Sequence, residues 1–262
     1  MSIKQLQFSN NTIDPCLFQI EDVNNDNACF YRSMANSFNL STLHTEMVNI
    51  KSLKDYGTYK PLTTIYQHND WGYSGKKQDI LARFLQEKTR EWIYKNRNLK
   101  LYEYGMDMEN MILMTHMIDI DSYMDRYQYF AGDVIVYQYD TGKIYKSGKR
   151  KGEPVLKKYH LEERWGGTPE HIAISEIYKI PILIITTQQY DKKREKMITG
   201  KIRNNKTENG VRFKIIQVIG RKYVGKSPPL FTLWKKHNRQ GHYMSLYLKD
   251  MNRLDDILNG LI

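Results

Sequence analysis

The side chain best suited to nucleophilic chemistry is a cysteine near the start of the chain. Cys29 lies in Asp26-Asn27-Ala28-Cys29-Phe30-Tyr31-Arg32, where an apolar four-residue spacing begins and predicts a helix from about Cys29 to Asn39. A thiol in the first turn of a helix faces unpaired backbone N–H groups, which lower its pKa and can hold an oxyanion. The pattern predicts a cysteine nucleophile, with an inert buried cysteine as the alternative.

A cysteine nucleophile needs a base, and His242 is the best placed of the seven histidines. It follows Gly241 and opens the alternating segment 242–248, which predicts a strand. A residue at the start of a strand is held rigidly and remains reachable from the preceding loop. His237, five residues earlier, lies in a charged stretch that predicts an exposed loop. The others are expected to be surface or structural residues: His44, His68, His116, His160 and His171.

Helices are predicted mainly in the first two thirds of the chain. Residues 79–96 and 168–179 have apolar side chains at helical spacing, and the Met-rich stretch 106–124 predicts a further amphipathic helix. Thr168 is expected to cap the helix that it begins, with Pro169 at the first helical position and Glu170 near the positive end of the helix dipole. Residues 40–77 predict irregular structure with at most one short helix.

Strands are predicted mainly in the last third of the chain, at 182–187, 211–220 and 242–248, with a further one at 134–137. Helices followed by strands favour an α+β fold over alternating βαβ units. Basic loops are predicted at 143–158 and at 191–209, the second as a loop or a hairpin.

The composition is that of a globular protein of 262 residues, enough for one large domain with insertions. A hydrophobic content of 40% with 26% charged residues excludes a disordered chain, and there is no apolar run of membrane-spanning length. The first residues do not predict a signal peptide. Two cysteines, Cys16 and Cys29, exclude a disulfide scaffold and suit a reducing compartment such as the cytoplasm. Cys16 is expected to be buried.

Three segments in chain order resemble motifs of the ovarian-tumour (OTU) cysteine proteases. The segment Asp26 to Arg32 is similar to the family's nucleophile motif, usually Asp-Gly-Asn-Cys-Leu-Phe-Arg. Trp165-Gly166-Gly167-Thr168-Pro169-Glu170, followed by Ile172-Ala173, is similar to its Trp-Gly-Gly-x-x-Glu helix start. Gly241-His242-Tyr243, followed by Leu246, is similar to its His-Tyr strand. The three segments span residues 26–248, whereas 40–125 and 190–228 do not align.

The resemblance implies a papain-like α+β fold with a central, mostly antiparallel sheet flanked by helices and divergent insertions. It implies a single catalytic domain over 1–262, with an N-terminal arm at 1–20, a divergent region at 40–125 and a basic loop at 190–210. It further implies a thiol-dependent isopeptidase that needs no metal or cofactor and takes ubiquitin or polyubiquitin as its protein substrate. The surface for the body of ubiquitin is expected within 40–125.

The resemblance also implies roles for individual residues. Cys29 is the expected nucleophile, His242 the base and Asp26 the third member of the catalytic set, while backbone amides from Asn27 to Cys29, including that of Ala28, form the oxyanion hole. Trp165 and Tyr243 are the candidate substrate contacts. The residues around Trp165 themselves favour packing: two glycines make a turn before a helix, and the indole lies against it.

The chain departs from the family pattern at three positions. Asn27 stands where the family has Gly, and Ala28 where it has Asn; asparagine tolerates a left-handed backbone, so the turn is expected to survive. Met244 stands where many members have the acid or amide that orients the histidine. An acceptor from the first thirty residues is therefore predicted beside His242, with Asp26 first, Asp22 second and Asp14 as a further alternative.

The net charge of +11 is concentrated after residue 140, in clusters at 143–158 and 192–206. A solvated face is the first interpretation, contact with an acidic partner the second and nucleic acid the third, because no nucleic-acid-binding motif accompanies the charge. The alternative to an enzyme is a catalytically weakened module that binds ubiquitin or nucleic acid. The Asn, Lys, Ile and Tyr content indicates an AT-rich genome, such as that of a large DNA virus, so a viral protein in host cytoplasm or virion is one expectation.

Overall fold

The computed structural model describes residues 12–40, 65–67, 75–127, 131, 133–160, 165–191, 196–199, 202–203, 206–207, 210–237 and 240–258. The predicted irregular region 40–77 falls largely outside these residues. Helices in the described part are α1 (Cys29–Leu40), α2 (Gly75–Lys95), α3 (Met108–His116), α4 (Ile120–Arg126), α5 (Thr168–Tyr178) and α6 (Leu254–Leu258). No helix within these ranges is both long and apolar enough to cross a membrane.

The described strands confirm the predicted ones and add others. In chain order they are β1 (Thr12–Ile13), β2 (Phe18–Glu21), β3 (Ile65–Gln67), β4 (Lys100–Leu101), β5 (Met106–Asp107), β6 (Asp133–Ile144), β7 (Pro154–His160), β8 (Ile182–Asp191), β9 (Lys196–Thr199), β10 (Ile202–Arg203), β11 (Lys206–Thr207), β12 (Arg212–Ile219), β13 (Leu230–His237) and β14 (Gln240–Leu248). Helices and a mostly antiparallel sheet confirm the predicted α+β class.

The main sheet has the strand order β1–β12–β8–β13–β14–β2, and β9 pairs with β8. Strands β13 and β8 run parallel, and the other pairs in this sheet are antiparallel. The predicted N-terminal arm therefore contributes two strands to this sheet. Strands β3, β6 and β7 form a separate small sheet.

Both faces of the main sheet are buried, because successive side chains along its strands point alternately into two apolar cores. Along β8, Ile182 and Ile184 face the helices, whereas Leu183 and Ile185 join the opposite core with Phe213, Phe231, Met244 and Leu246. Helix α6 covers this second core with Ile257 and Leu258.

Helix α1 is fixed to the centre of the sheet by polar as well as apolar contacts. Ser33 Oγ lies 2.9 Å from Thr232 Oγ1 on β13, and Ser245 Oγ on β14 donates to the Ser33 carbonyl at 3.1 Å. All three side chains are buried. The start of α1, where Cys29 lies, is thereby held against the strand that carries His242.

The single helix predicted over 106–124 is wrong, because capping aspartates divide the stretch. Asp107 ends β5 and caps α3 by accepting the Asn110 N–H at 2.9 Å. The chain leaves α3 through Met117, which has a left-handed backbone, and Asp119 then caps α4 through the Ser122 N–H at 2.8 Å. Side-chain acceptors of this kind compete with helix continuation.

Two predicted loops contain strand residues. The basic stretch 143–158 contains the end of β6 and most of β7, which pair as a hairpin around the turn Tyr145–Glu153. His237 ends strand β13, paired with Gln240, instead of lying in a loop. Strand β13 was not predicted, because its first residues are buried on both faces and its sequence therefore lacks apolar–polar alternation. The predicted basic loop 191–209 contains β9, β10 and β11 among its described residues.

Candidate active site

The turn before Cys29 is organised by Asp26, as the sequence predicts. Asp26 Oδ1 accepts the Ala28 N–H at 2.9 Å, and its carbonyl accepts the Cys29 N–H at 3.1 Å. The second carboxylate oxygen pairs with Arg32 Nε at 3.0 Å, and both side chains are buried. Asn27 has no left-handed backbone here. A residue other than glycine therefore fits the turn without strain.

The Cys29 thiol is buried beneath the start of α1. The backbone N–H groups of Tyr243 and Phe30 both act to lower the pKa of the thiol, which places Cys29 near the residue that follows His242. Burial outweighs these amides and raises the pKa of the Cys29 thiol to about 12, and the nearby Asp26 carboxylate adds to the rise. The lowered thiol pKa expected from the helix terminus is thus wrong for this resting conformation, because loss of hydration outweighs the aligned amides.

His242 is the third residue of β14, and its ring contacts an acid that directly follows the edge strand β2. Its Nε2 lies 2.9 Å from Asp22 Oδ1. An ionised carboxylate only accepts, so Nε2 carries a proton, and the neutral form of the ring has its lone pair at Nδ1. That Nδ1 is buried and has no hydrogen-bond partner within the described part of the chain. The ring therefore presents one oriented, unused base.

Asp22, and not the first choice Asp26, is the acid that contacts the His242 ring. Strand β2 pairs with β14, with Glu21 opposite Ser245, so the residue after β2 reaches the start of β14. Burial opposes ionisation of Asp22, but the hydrogen bond and charge of His242 outweigh it and lower the pKa of the carboxyl. Met244 is buried in the second core and takes no part.

The third acid considered, Asp14, has a local structural role. Its Oδ1 accepts the Cys16 N–H at 2.9 Å and caps a short 3₁₀ helix at Pro15–Leu17. Cys16 itself is exposed, which contradicts its predicted burial. The flanking Pro15 is the buried residue of this turn.

Two of the three amides expected in the oxyanion hole already have acceptors. The N–H groups of Ala28 and Cys29 both donate to Asp26, to its side chain and its carbonyl respectively. The N–H of Asn27 is the remaining donor of the three. An oxyanion beside Cys29 would therefore accept most readily from the Asn27 N–H. It would compete with Asp26 for the N–H groups of Ala28 and Cys29.

The segment Trp165 to Gly167 packs against the Cys29 turn. The indole Nε1–H of Trp165 donates to Asn27 Oδ1. A Cβ at Gly166 would lie only 2.0 Å from Cδ1 of Phe30, so only glycine lets the segment approach this closely. Trp165, one of the candidate substrate contacts, is engaged with the turn itself.

Glu170 anchors this segment from inside the protein. Helix α5 is capped at Gly167 and not at Thr168, and Glu170 Oε2 accepts the Gly167 N–H at 2.6 Å. Glu170 Oε1 accepts from His116 Nε2 and from the Tyr123 hydroxyl, each at 2.9 Å. Burial opposes ionisation, but the charge and hydrogen bond of His116 hold the pKa of Glu170 below its ordinary value. Sequence reasoning missed His116 and Tyr123, which lie on α3 and α4.

An aromatic cluster lies beneath the thiol. The Phe30 ring contacts His171 at a centroid distance of 4.2 Å and Tyr243 at 5.5 Å, and His171 contacts Tyr243 at 5.4 Å. Tyr243, the other candidate substrate contact, is partly buried in this cluster, and loss of hydration raises the pKa of its hydroxyl. Burial also lowers the pKa of His171 to about 4.

Two cations act at the site itself, Arg32 on Asp26 and Lys235 on Asp22. The β6–β7 hairpin exposes five further cations at the end of β6 and in its turn, of which Arg150 pairs with Glu153: Lys143, Lys146, Lys149, Arg150 and Lys151. Most of the second basic cluster lies outside the described residues. Within the described part of the chain, no group of three His, Cys, Asp or Glu side chains could hold a metal ion.

Comparison with known proteins gives structural likenesses only. No family model and no curated protein matches the chain. An ovarian tumor (OTU) domain solved in complex with ubiquitin aligns over 93% of this chain and 81% of its own, with 13% identity and a TM-score of 0.37. An OTU deubiquitinase from Wolbachia pipientis wMel, bound to ubiquitin, aligns over 90% and 98%, with 13% identity and a TM-score of 0.36.

Gly166→Ala tests the close approach of the Trp165 segment to Phe30. The added Cβ meets the buried Phe30 ring, which cannot withdraw, so we expect a loss of about 1–3 kcal/mol in the free energy of unfolding. Gly167→Ala is the matched control, because the one close contact of its Cβ is with a methyl of the exposed Thr115 side chain, which can move, while Glu170 and Pro169 lie at ordinary contact distance. Urea denaturation measures both variants. Equal stability of Gly166→Ala and the wild type would contradict the packing described.

His171 gives a pH dependence of stability with a defined sign. Its folded pKa of about 4 lies below the ordinary 6.5, so the unfolded chain binds this proton first. The free energy of unfolding should therefore fall as the pH drops from 6.5 to 4, by up to about 3 kcal/mol from this group. His171→Phe keeps a ring against Phe30 and should flatten the slope. Parallel slopes for both proteins in urea titrations would contradict burial of a neutral His171.

Proposed function

We propose that the chain is a deubiquitinating cysteine protease that hydrolyses isopeptide bonds between ubiquitin, or a ubiquitin-like modifier, and a lysine amine. One observation carries the proposal: His242 has Asp22 on one ring nitrogen and a buried, unused Nδ1 on the other, and helix α1, which begins at Cys29, is hydrogen-bonded to the strand that carries it. The motif resemblance around these residues supplies the substrate class.

In this proposal Cys29 attacks the carbonyl carbon that joins the modifier's C-terminal glycine to lysine. Nδ1 of His242 takes the thiol proton during attack, which a thiol with a raised pKa requires, and Asp22 stabilises the resulting imidazolium. The imidazolium then protonates the departing amine, which leaves a thioester on Cys29. Water attacks the thioester with His242 again as base, and this releases the modifier's carboxylate and restores the thiol.

Oxyanion stabilisation falls to backbone amides at the start of α1. Among the described residues, no acceptor competes for the Asn27 N–H, and the amides of Ala28 and Cys29 join it when Asp26 releases them. Asp26 therefore acts as the residue that shapes the turn. Trp165 and Tyr243, with their internal contacts, support the site in this proposal more than they bind substrate.

The catalytic unit is a single domain in this proposal. Strands from residue 12 to residue 248 join one sheet, so the N-terminal arm and the histidine strand belong to the same folded body. Both cysteines are free, which suits the reducing cytoplasm. Neither step of the proposed reaction uses a metal or another cofactor.

The second candidate is a module that binds ubiquitin without cleaving it. Burial of the Cys29 thiol and its raised pKa favour this alternative, because a protonated, covered sulfur is a poor nucleophile. The exposed cations of the β6–β7 turn would be its contact with an acidic protein or nucleic acid. A binding module retains ubiquitin affinity and shows no turnover.

Cleavage of di-ubiquitin, followed on gels with all linkage types, separates the two functions. We expect no cleavage by Cys29→Ala or His242→Ala, a loss of about 10–100-fold in kcat for Asp22→Ala, and a smaller loss for Asp22→Asn, which still accepts from Nε2. Asp14→Ala is the matched control and should cleave like the wild type, because Asp14 only caps a local turn.

Three outcomes would contradict this account. Cleavage that persists in Cys29→Ala would show that another group is the nucleophile. Wild-type turnover by Asp22→Ala would show that cysteine and histidine act as a dyad without a third residue. Ubiquitin binding with no cleavage by the wild type would establish the second candidate.

A further inference from the structure

A continuous chain of hydrogen bonds runs from a buried ion pair to the Cys29 turn. Its members are Glu170, His116, Tyr127, Trp165 and Asn27. Tyr127 Oη lies 3.0 Å from His116 Nδ1 and 2.9 Å from the Trp165 carbonyl. The Trp165 indole then donates to Asn27 Oδ1. The chain thus links helices α3, α4 and α5 to a residue two positions before Cys29.

The direction of each hydrogen bond follows from the groups involved. A carbonyl oxygen only accepts, so Tyr127 donates its single hydroxyl proton to Trp165 and must accept from His116 Nδ1–H. Glu170, ionised and buried, accepts from His116 Nε2. His116 thus contacts Glu170 through one ring nitrogen and Tyr127 through the other. The buried Glu170–His116 pair fixes the far end of the chain.

The near end of the chain fixes the orientation of the Asn27 amide. An indole N–H is a donor only, so Oδ1 of Asn27 must face Trp165 and the NH₂ group must face away from it. The main chain of Asn27 lies between the two Asp26 hydrogen bonds to Ala28 and Cys29. A side chain held at this point restricts the backbone that carries the expected oxyanion donor and the thiol.

We propose that Tyr127 and Trp165 are positioning residues for Cys29, acting through the Asn27 side chain. The inference rests on the proposed function for its kinetic consequence, but the conformational coupling is a property of the fold alone. Neither residue touches the sulfur. Loss of either hydrogen bond should let the 26–29 turn sample other conformations and lower kcat, while substrate affinity changes little.

The kinetic test uses the full chain and ubiquitin with a fluorogenic amide at its C terminus. Trp165→Phe keeps an aromatic ring and loses only the indole donor, and Asn27→Ala loses the acceptor but keeps the backbone N–H. Each should lower kcat by about tenfold with KM within about twofold, and the double variant should be no worse than either single one. Trp92→Phe, a partly buried tryptophan on α2, is the matched control and should match the wild type.

A second measurement needs no ubiquitin. In ¹H–¹⁵N correlation spectra, Asn27→Ala should move the indole N–H signal of Trp165, which Trp165→Phe identifies among the four tryptophans. Tyr127→Phe removes one hydroxyl and should move the backbone amide signals of Asn27, Ala28 and Cys29. Trp92→Phe should leave all of these signals in place.

The outcomes separate this proposal from the proposed function. A loss of about 100-fold in kcat for the double variant would overturn positioning, because it would show that the two residues act independently. A rise in KM alone would also overturn it, because it would assign Trp165 to substrate contact. Unmoved turn amides in Tyr127→Phe would also overturn it. If the wild type shows no turnover while the turn amides respond to Tyr127→Phe, the proposed function fails and the coupling stands.

Discussion

Strand β14 is the element on which the candidate site depends, because it is paired on both edges and buried beneath α1. Its antiparallel partner β2 brings Asp22 to the His242 ring, and its packing under α1 brings the Tyr243 ring against Phe30, the residue after Cys29. Side chains that are over 200 residues apart in sequence therefore meet through main-chain register. A one-residue slip of β14 against β2 would turn the His242 side chain to the other face of the sheet.

Burial of the Cys29 thiol opposes the ionisation that the proposed reaction needs. Burial favours the neutral thiol strongly, whereas catalysis by sulfur requires the thiolate. A base that is itself desolvated, oriented by Asp22 and free at Nδ1 can take the proton in the same step as attack. Binding of a substrate tail that displaces solvent and reorganises the 26–29 turn would couple activation to recognition.

Sequence patterns predicted the local features of this site well and the long-range ones poorly. Helix α1, the Asp26 cap and the strand of His242 follow from short-range periodicity and capping chemistry, and the structure confirms them. The choice between Asp22 and Asp26 depended on strand pairing, which no local pattern contains. His116 and Tyr127 were hidden within a stretch whose methionines indicated one helix, while Asp107 and Asp119 divide it. Burial of the thiol is a tertiary effect and reversed the pKa direction that the helix terminus alone predicts.

The central claim is that Cys29 is a nucleophile directed at the C terminus of ubiquitin. The most direct measurement incubates the full chain with ubiquitin that carries an electrophilic C-terminal group, followed by intact mass analysis and peptide mapping. The account predicts one adduct, located on Cys29, formed by the wild type and by Cys16→Ala and absent from Cys29→Ala. Absence of any adduct, or an adduct on the exposed Cys16 alone, would contradict it.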